Sequence, residues 1–241
     1  TFVLAALLVI GSGPRTIWAD ESQVVTKLKQ LNAKIGTDAD GAVTLLDLSG
    51  GQDSDADLPQ LKQLSKLQRL TLMGPGITDD GVRHLKGLTS LERLGLENTA
   101  LTDVGMAHLK DMTSLVLLNV RRTNISDDGL VYLKGLKNLK ALELRFNLIT
   151  DAGLVHLAGL SNLRRLSLNR TQVTGTGIAS LARLKRLELL DFGGTTVTGT
   201  TVTTTVTTTV TITITITITI TITITVTITV TITVTVTVTV T

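Results

Sequence analysis

Three histidines fall at one place in a regular spacing: His84, His108 and His156, with Tyr132 where a further one would stand. Stacked imidazoles can ligate a metal ion through their ring nitrogens. Here each precedes a leucine (Leu85, Leu109, Leu157) on the outer flank of a helix-like stretch, and Tyr132 interrupts the column, so they read as solvated helix residues. The acidic pairs Asp79/Asp80 and Asp127/Asp128 invite calcium, but each follows a Thr or Ser that starts a helix, where carboxylates favour the positive end of the dipole. There is no Gly-x-Ser-x-Gly elbow, no phosphate loop ending in Gly-Lys-Ser/Thr and no His-Glu-x-x-His. No catalytic residue, metal site or cofactor is therefore expected, and the chain reads as a non-enzyme. Binding chemistry is a different matter, because Arg121, Arg122, Arg145 and Arg170 surround Phe146 in sequence.

The elements that position these residues follow from a 24-residue period. Ile77-Thr-Asp-Asp-Gly recurs as Leu101-Thr-Asp-Val-Gly, Ile125-Ser-Asp-Asp-Gly, Ile149-Thr-Asp-Ala-Gly and Val173-Thr-Gly-Thr-Gly, and fades at Val197-Thr-Gly-Thr-Thr. In phase with it runs Leu-x-x-Leu-x-Leu, at Leu67/Leu70/Leu72, Leu91/Leu94/Leu96, Leu139/Leu142/Leu144 and Leu163/Leu166/Leu168, with Val120 and Phe192 substituting in two copies. The phase reaches back to Val43/Leu46/Leu48. This pattern resembles the leucine-rich repeat over residues 43–199, in about seven copies. The Thr-Asp-x-Gly phrase resembles that of exported bacterial leucine-rich repeat proteins, and also the cysteine-containing repeats of F-box substrate receptors. Against the second, the family's Asn/Cys position holds Thr99, Thr123, Asn147, Thr171 and Thr195, with no cysteine. The resemblance implies an α/β solenoid, or horseshoe, with a parallel β-sheet on the concave face and short helices on the convex face.

The residues support the same architecture. Leu-x-Leu alternates apolar and polar positions, as a half-buried strand does. The stretches that follow place Leu58/Leu61/Leu64, Val82/Leu85/Leu88, Met106/Leu109/Met112, Leu130/Leu133/Leu136, Leu154/Leu157/Leu160 and Ile178/Leu181/Leu184 at steps of three, as one face of a helix requires. Ser54, Thr78, Thr102, Ser126, Thr150 and Thr174 occupy the N-cap phase, each but the last followed by Asp. Residues 20–42 are expected to form an N-terminal capping helix, with Val24, Leu28, Leu31 and Ile35 on one face, and a turn at Asp40-Gly41.

Strand positions pointing away from the leucines form the concave face, in four columns. The first is Leu45, Arg69, Arg93, Leu117, Ala141, Arg165 and Leu189; the second is Asp47, Thr71, Gly95, Asn119, Glu143, Ser167 and Asp191. The third runs Ser49, Met73, Glu97, Arg121, Arg145, Asn169, Gly193, and the fourth Gly50, Gly74, Asn98, Arg122, Phe146, Arg170, Gly194. Arginines around the one aromatic of this face have the composition of a binding hot spot. Asn119, Arg121, Arg122, Glu143, Arg145, Phe146 and Arg170 are the expected partner-binding residues, for a protein or peptide ligand with acidic groups.

Composition narrows the classes further. A net charge of +3 with 2% aromatic residues excludes nucleic-acid binding, and zero Cys excludes disulfide caps and thiolate metal sites. Residues 1–19 read as a truncated signal-peptide-like segment, with an apolar run from Phe2 to Ile10 and a small residue at Ala19; a membrane anchor is the alternative. The chain is accordingly expected to be exported, periplasmic or at the cell surface, touching a membrane only through that segment. Residues 200–241 are a Thr/Val/Ile low-complexity tail with Thr at every odd position from Thr201. Such alternation is a repetitive tract, an ice-binding or structural Thr array, or an adhesive stalk, and its uncharged, Pro-free composition favours cross-β association of an otherwise monomeric protein. A chain ending near Gly199 is expected to be more soluble than the full one, by centrifugation and thioflavin binding.

Overall fold

The computed structural model describes residues 19–50, 53–195 and 211–213. The signal-like run at 2–10 and all but three residues of the Thr-rich tail lie outside them. Each repeat contributes one short strand, and among the described residues nine strands form one sheet in chain order. They are β1 (Lys34–Thr37), β2 (Val43–Leu48), β3 (Arg69–Met73), β4 (Arg93–Glu97), β5 (Leu117–Asn119), β6 (Ala141–Glu143), β7 (Arg165–Ser167), β8 (Leu189–Asp191) and β9 (Thr211–Thr213). From β2 onward every pairing is parallel, and from β2 to β8 the register advances by one repeat per strand, with Leu46, Leu70, Leu94, Leu118, Leu142, Leu166 and Leu190 side by side. Beyond β8, Leu190 pairs with Ile212, so β9 extends the sheet two residues short of a full period.

The first edge departs from expectation. The helix α1 spans Ala19–Gln30 and stops there rather than continuing to Ile35. Asn32 adopts φ 56°, and the Ala33 amide returns to the Leu28 carbonyl at 3.2 Å, which closes the helix as a left-handed C-terminal turn. Ile35 then lies in β1, antiparallel to β2 and joined to it by a turn in which the Asp38 carboxylate accepts from the Asp40 and Ala42 amides. An antiparallel strand covers the backbone edge that a parallel solenoid would otherwise leave open.

On the convex side the step of three has a literal meaning. One α-turn per repeat, α2 (Asp79–Val82), α3 (Asp103–Met106), α4 (Asp127–Leu130), α5 (Asp151–Leu154) and α6 (Gly175–Ile178), runs directly into a 3₁₀ turn such as Ala107–Leu109. Three residues per turn eclipse positions i and i+3, so Met106, Leu109 and Met112 line up toward the sheet. The first repeat is 3₁₀ throughout, over Asp55–Asp57 and Pro59–Gln63. All six triads are buried in one core continuous with the strand leucines. Burying a leucine stabilises by about 1.5–3 kcal/mol, and no single repeat can do so without its neighbours.

The Thr-Asp-x-Gly phrase turns out to be a cross-link. Asp79 Oδ1 accepts from the Thr102 amide at 2.8 Å and its Oδ2 accepts from the Thr102 hydroxyl at 2.5 Å, one repeat later. The same double contact joins Asp55 to Thr78, Asp103 to Ser126, Asp127 to Thr150 and Asp151 to Thr174. In four of these the hydroxyl also caps its own helix, as Thr102 does by accepting from the Val104 amide at 3.2 Å. Thr174 does not; its hydroxyl lies against Thr176 instead. The glycine makes room for the carboxylate: a Cβ on Gly105 would stand 2.3 Å from Asp79 Oδ1, and Gly81, Gly129, Gly153 and Gly177 are in the same position. Dipole capping alone therefore understated these aspartates.

The Asn/Cys position is buried at Thr99, Thr123, Asn147 and Thr171 and half-buried at Thr195. Thr99, Thr123 and Thr171 donate to the carbonyls of Leu96, Val120 and Leu168. Asn147 accepts from the Thr123 amide and hydroxyl and donates to the Val120 and Leu144 carbonyls, which satisfies its whole amide. One core position breaks the rule. Asp53 stands where later repeats carry Ile77, Leu101, Ile125, Ile149 and Val173. It is 5% exposed, and burial pushes its pKa up to about 6, reinforced by Asp57 and opposed by the backbone amides of Asp53 and Met73.

Candidate ligand-binding face

The parallel register builds the concave columns as expected: Leu45, Arg69, Arg93, Leu117, Ala141, Arg165 and Leu189 are in-register neighbours across the sheet. Where the strands end, the backbone turns left-handed in each repeat from β3 to β8, though not at Gly50 after β2. Asn98, Arg122, Phe146 and Arg170 have φ between 54° and 59°, and Gly74 and Gly194 hold the same position at 109° and 69°. The fourth column is thus a row of left-handed residues. Asparagine and glycine accept this conformation readily, whereas a bulky L side chain costs about 1–2 kcal/mol there.

The structure brings Phe146 together with three of the four expected arginines. The Cζ atoms of Arg122, Arg121 and Arg170 lie 5.0, 5.5 and 5.5 Å from the ring centroid. Arg145 is not over the ring; its Nη2 reaches toward Asp191 Oδ2 at 4.0 Å. Arg121 also pairs with Glu97, Nη1 to Oε1 at 3.3 Å. These acids are braced in turn: Asn119 donates to Glu97 Oε2 at 3.4 Å and Asn169 donates to Asp191 Oδ2 at 2.7 Å. Glu143 lies between the two pairs, where burial pushes its carboxyl up, opposed by Arg145 and reinforced by Asp191.

Two consequences follow for the cations. Arg121 and Arg145 are half-buried, are engaged by carboxylates and keep buried Nε groups without a partner. Arg122 and Arg170 are exposed, touch Phe146 and make no ion pair among the described residues. The sequence columns set Glu97, Glu143 and Asp191 beside these arginines to temper their charge, but did not tell which arginine each acid engages. The left-handed geometry was also missed, although Gly74, Asn98 and Gly194 in the same column were its signal.

The histidine column does not assemble a site. His84, His108 and His156 are half-buried rather than fully solvated, and Arg83 Nε donates to His84 Nε2 at 3.4 Å. Among the described residues no group of three or more His, Cys, Asp or Glu is placed to hold a metal ion, and no helix is long and apolar enough to cross a membrane.

A family model described as Leucine Rich repeat matches residues 111–134, 135–158 and 159–182. No curated protein matches the sequence. Among solved structures, the crystal structure of an internalin (inlF) from Listeria monocytogenes str. 4b F2365 is similar, at 21% identity and a TM-score of 0.48 over 75% of this chain. This chain spans 64% of that protein's length. The three consecutive matched units are leucine-rich repeats, and the strands and convex turns described above continue the same 24-residue unit in register on either side of them.

Proposed function

We propose that this protein is a non-catalytic interaction scaffold whose concave face, around Phe146, binds an acidic segment of a protein or peptide partner. The observation that carries this reading is the gathering of three guanidinium groups, each within 5.5 Å of the ring centroid, over a phenylalanine held in a left-handed conformation. Each cation–π contact contributes about 0.5–1 kcal/mol at an exposed site, which offsets the backbone cost. A stacked guanidinium keeps its edge N–H groups free for bidentate pairing with a carboxylate.

Within the site the roles divide. Arg121 and Arg145, tied to Glu97 and Asp191, shape the surface, and Arg122 and Arg170 offer the open charge. Phe146 is the platform that holds them. Affinity capture from a host envelope extract on the immobilised full chain, beside an Arg122→Glu, Arg170→Glu variant, tests this. A partner held by the first and lost by the second is the expected result. A partner held equally by both, or none held by either, overturns the reading.

A further inference from the structure

Two other arginines of the concave face stand in a setting unlike the first. Arg69 in β3 and Arg93 in β4 are in-register neighbours on adjacent parallel strands, and both are exposed. Adjacent strands lie about 4.8 Å apart, so the two side chains leave the sheet close together, and like charges at paired positions destabilise a sheet. Neither makes an ion pair or a side-chain hydrogen bond among the described residues, whereas Lys34, Arg121, Arg145 and Arg164 all do. The nearby acids are already committed. Asp47 pairs with Lys34 at 3.1 Å and accepts from the Ser49 amide, and Glu97 serves Arg121 and Asn119.

Beside this pair the sheet is hollow. Gly95, next in column two, carries no side chain, and a Cβ there would meet Thr71 alone, its Cγ2 nearest at 3.4 Å. Arg69, Arg93, Thr71 and Gly95 line a groove whose walls are completed by Leu45 and Leu117. Lys34 and Asp47, paired with each other, and Asn119 also line it, so the groove combines two uncompensated cations with a floor that lacks a side chain at Gly95 and with Leu45 and Leu117 at its sides.

We infer that Arg69 and Arg93 form a second anion seat, which takes a side-chain carboxylate of an acidic peptide lying across strands β2 to β5. A carboxylate has two oxygens and can accept from one guanidinium on each, which removes the repulsion between the two arginines as it binds. The hollow over Gly95 admits the peptide backbone, and Leu45 and Leu117 cover the aliphatic part of the bound side chain. This inference extends the proposed function to a second contact, yet it rests on different residues and can stand or fall separately.

The test is fluorescence anisotropy with a labelled, end-blocked hexaglutamate peptide on the full chain at low salt. Three variants are compared with it: Arg69→Gln with Arg93→Gln, Arg122→Gln with Arg170→Gln, and all four together. Loss of the first pair is expected to weaken binding at least about tenfold and to flatten its salt dependence. The thermal midpoint should not fall, because an unpaired like-charge contact has been removed. Unchanged affinity in the Arg69/Arg93 variant, with loss only in the Arg122/Arg170 variant, overturns the inference and leaves the Phe146 reading intact. The opposite pattern upholds the inference and counts against the Phe146 site. Absence of binding by the unmodified chain overturns it outright.

Discussion

The Asp–Thr–Gly ladder on the convex side and the left-handed column beside the concave face occupy fixed positions in the same repeats, yet they obey opposite rules. Along the ladder the residue types hardly change: Asp55, Asp79, Asp103, Asp127 and Asp151 each bind the next repeat through the same two oxygens. Along the left-handed column the backbone is constant but the side chain runs Gly74, Asn98, Arg122, Phe146, Arg170, Gly194. Glycine or asparagine would suit every one of those positions. Invariant chemistry at constant geometry marks what stacking needs, and varied, strained chemistry at constant geometry marks what stacking does not explain. Phe146 and its arginines belong to the second kind.

The sharpest way to break this comparison is Gly129→Ala. In an ordinary exposed helix this change stabilises, whereas here the new methyl would come within 2.4 Å of Asp103 Oδ1 and 2.8 Å of Ile125 Cγ2. A loss of about 2–3 kcal/mol in urea unfolding is expected, and a gain would show that the ladder has slack. Asp103→Ala should cost less, about 1–2 kcal/mol, by stranding the Ser126 amide and hydroxyl that it now satisfies.

Asp53 tests the same logic from the opposite side, since it breaks an apolar column. Replacing it with Ile, the residue at Ile77, should raise stability near neutral pH by about 1 kcal/mol after allowance for solvent screening. Its folded pKa, about 6, lies above the ordinary aspartate value of 3.8, so the folded state binds the extra proton. The penalty is absent below about 3.8, grows between there and about 6, and is complete above; the variant's advantage should therefore shrink on acidification across that window. A pH-independent difference in thermal midpoint would sink this account.

The smallest stability effect is expected where the binding effect is large. Phe146→Asn relieves the left-handed strain and forfeits three cation–π contacts, so unfolding free energy should move by less than about 1 kcal/mol. Partner capture should nevertheless be lost, because Arg122 and Arg170 no longer have a platform. A variant that unfolds markedly more easily would place Phe146 with the structural positions instead.

Much of this was legible from residue spacing. The leucine columns, the convex triads and the buried Thr99, Thr123, Asn147 and Thr171 follow from a period that repeats the same local problem with the same local answer. The N-terminal edge was less so: Leu31 and Ile35 fit a helical spacing, but Asn32 turned left-handed and Ile35 joined a strand. Helical and strand spacings coincide over so few apolar residues, and pairing with β2 decided between them. The aspartate ladder was half visible, since its residues lie 23 apart and only the stack brings each carboxylate to the next hydroxyl.

By itself the chain's sequence determined the repeat, its core and which residues share each concave column, because these depend on periodicity alone. Only the tertiary structure decided which cations remain open. Arg121 and Arg145 reach Glu97 and Asp191 on other strands, while Arg69, Arg93, Arg122 and Arg170 meet no carboxylate among the described residues. Long side chains cross between strands about 4.8 Å apart, so their pairing depends on the direction each takes from the sheet, and spacing along the chain does not encode that direction.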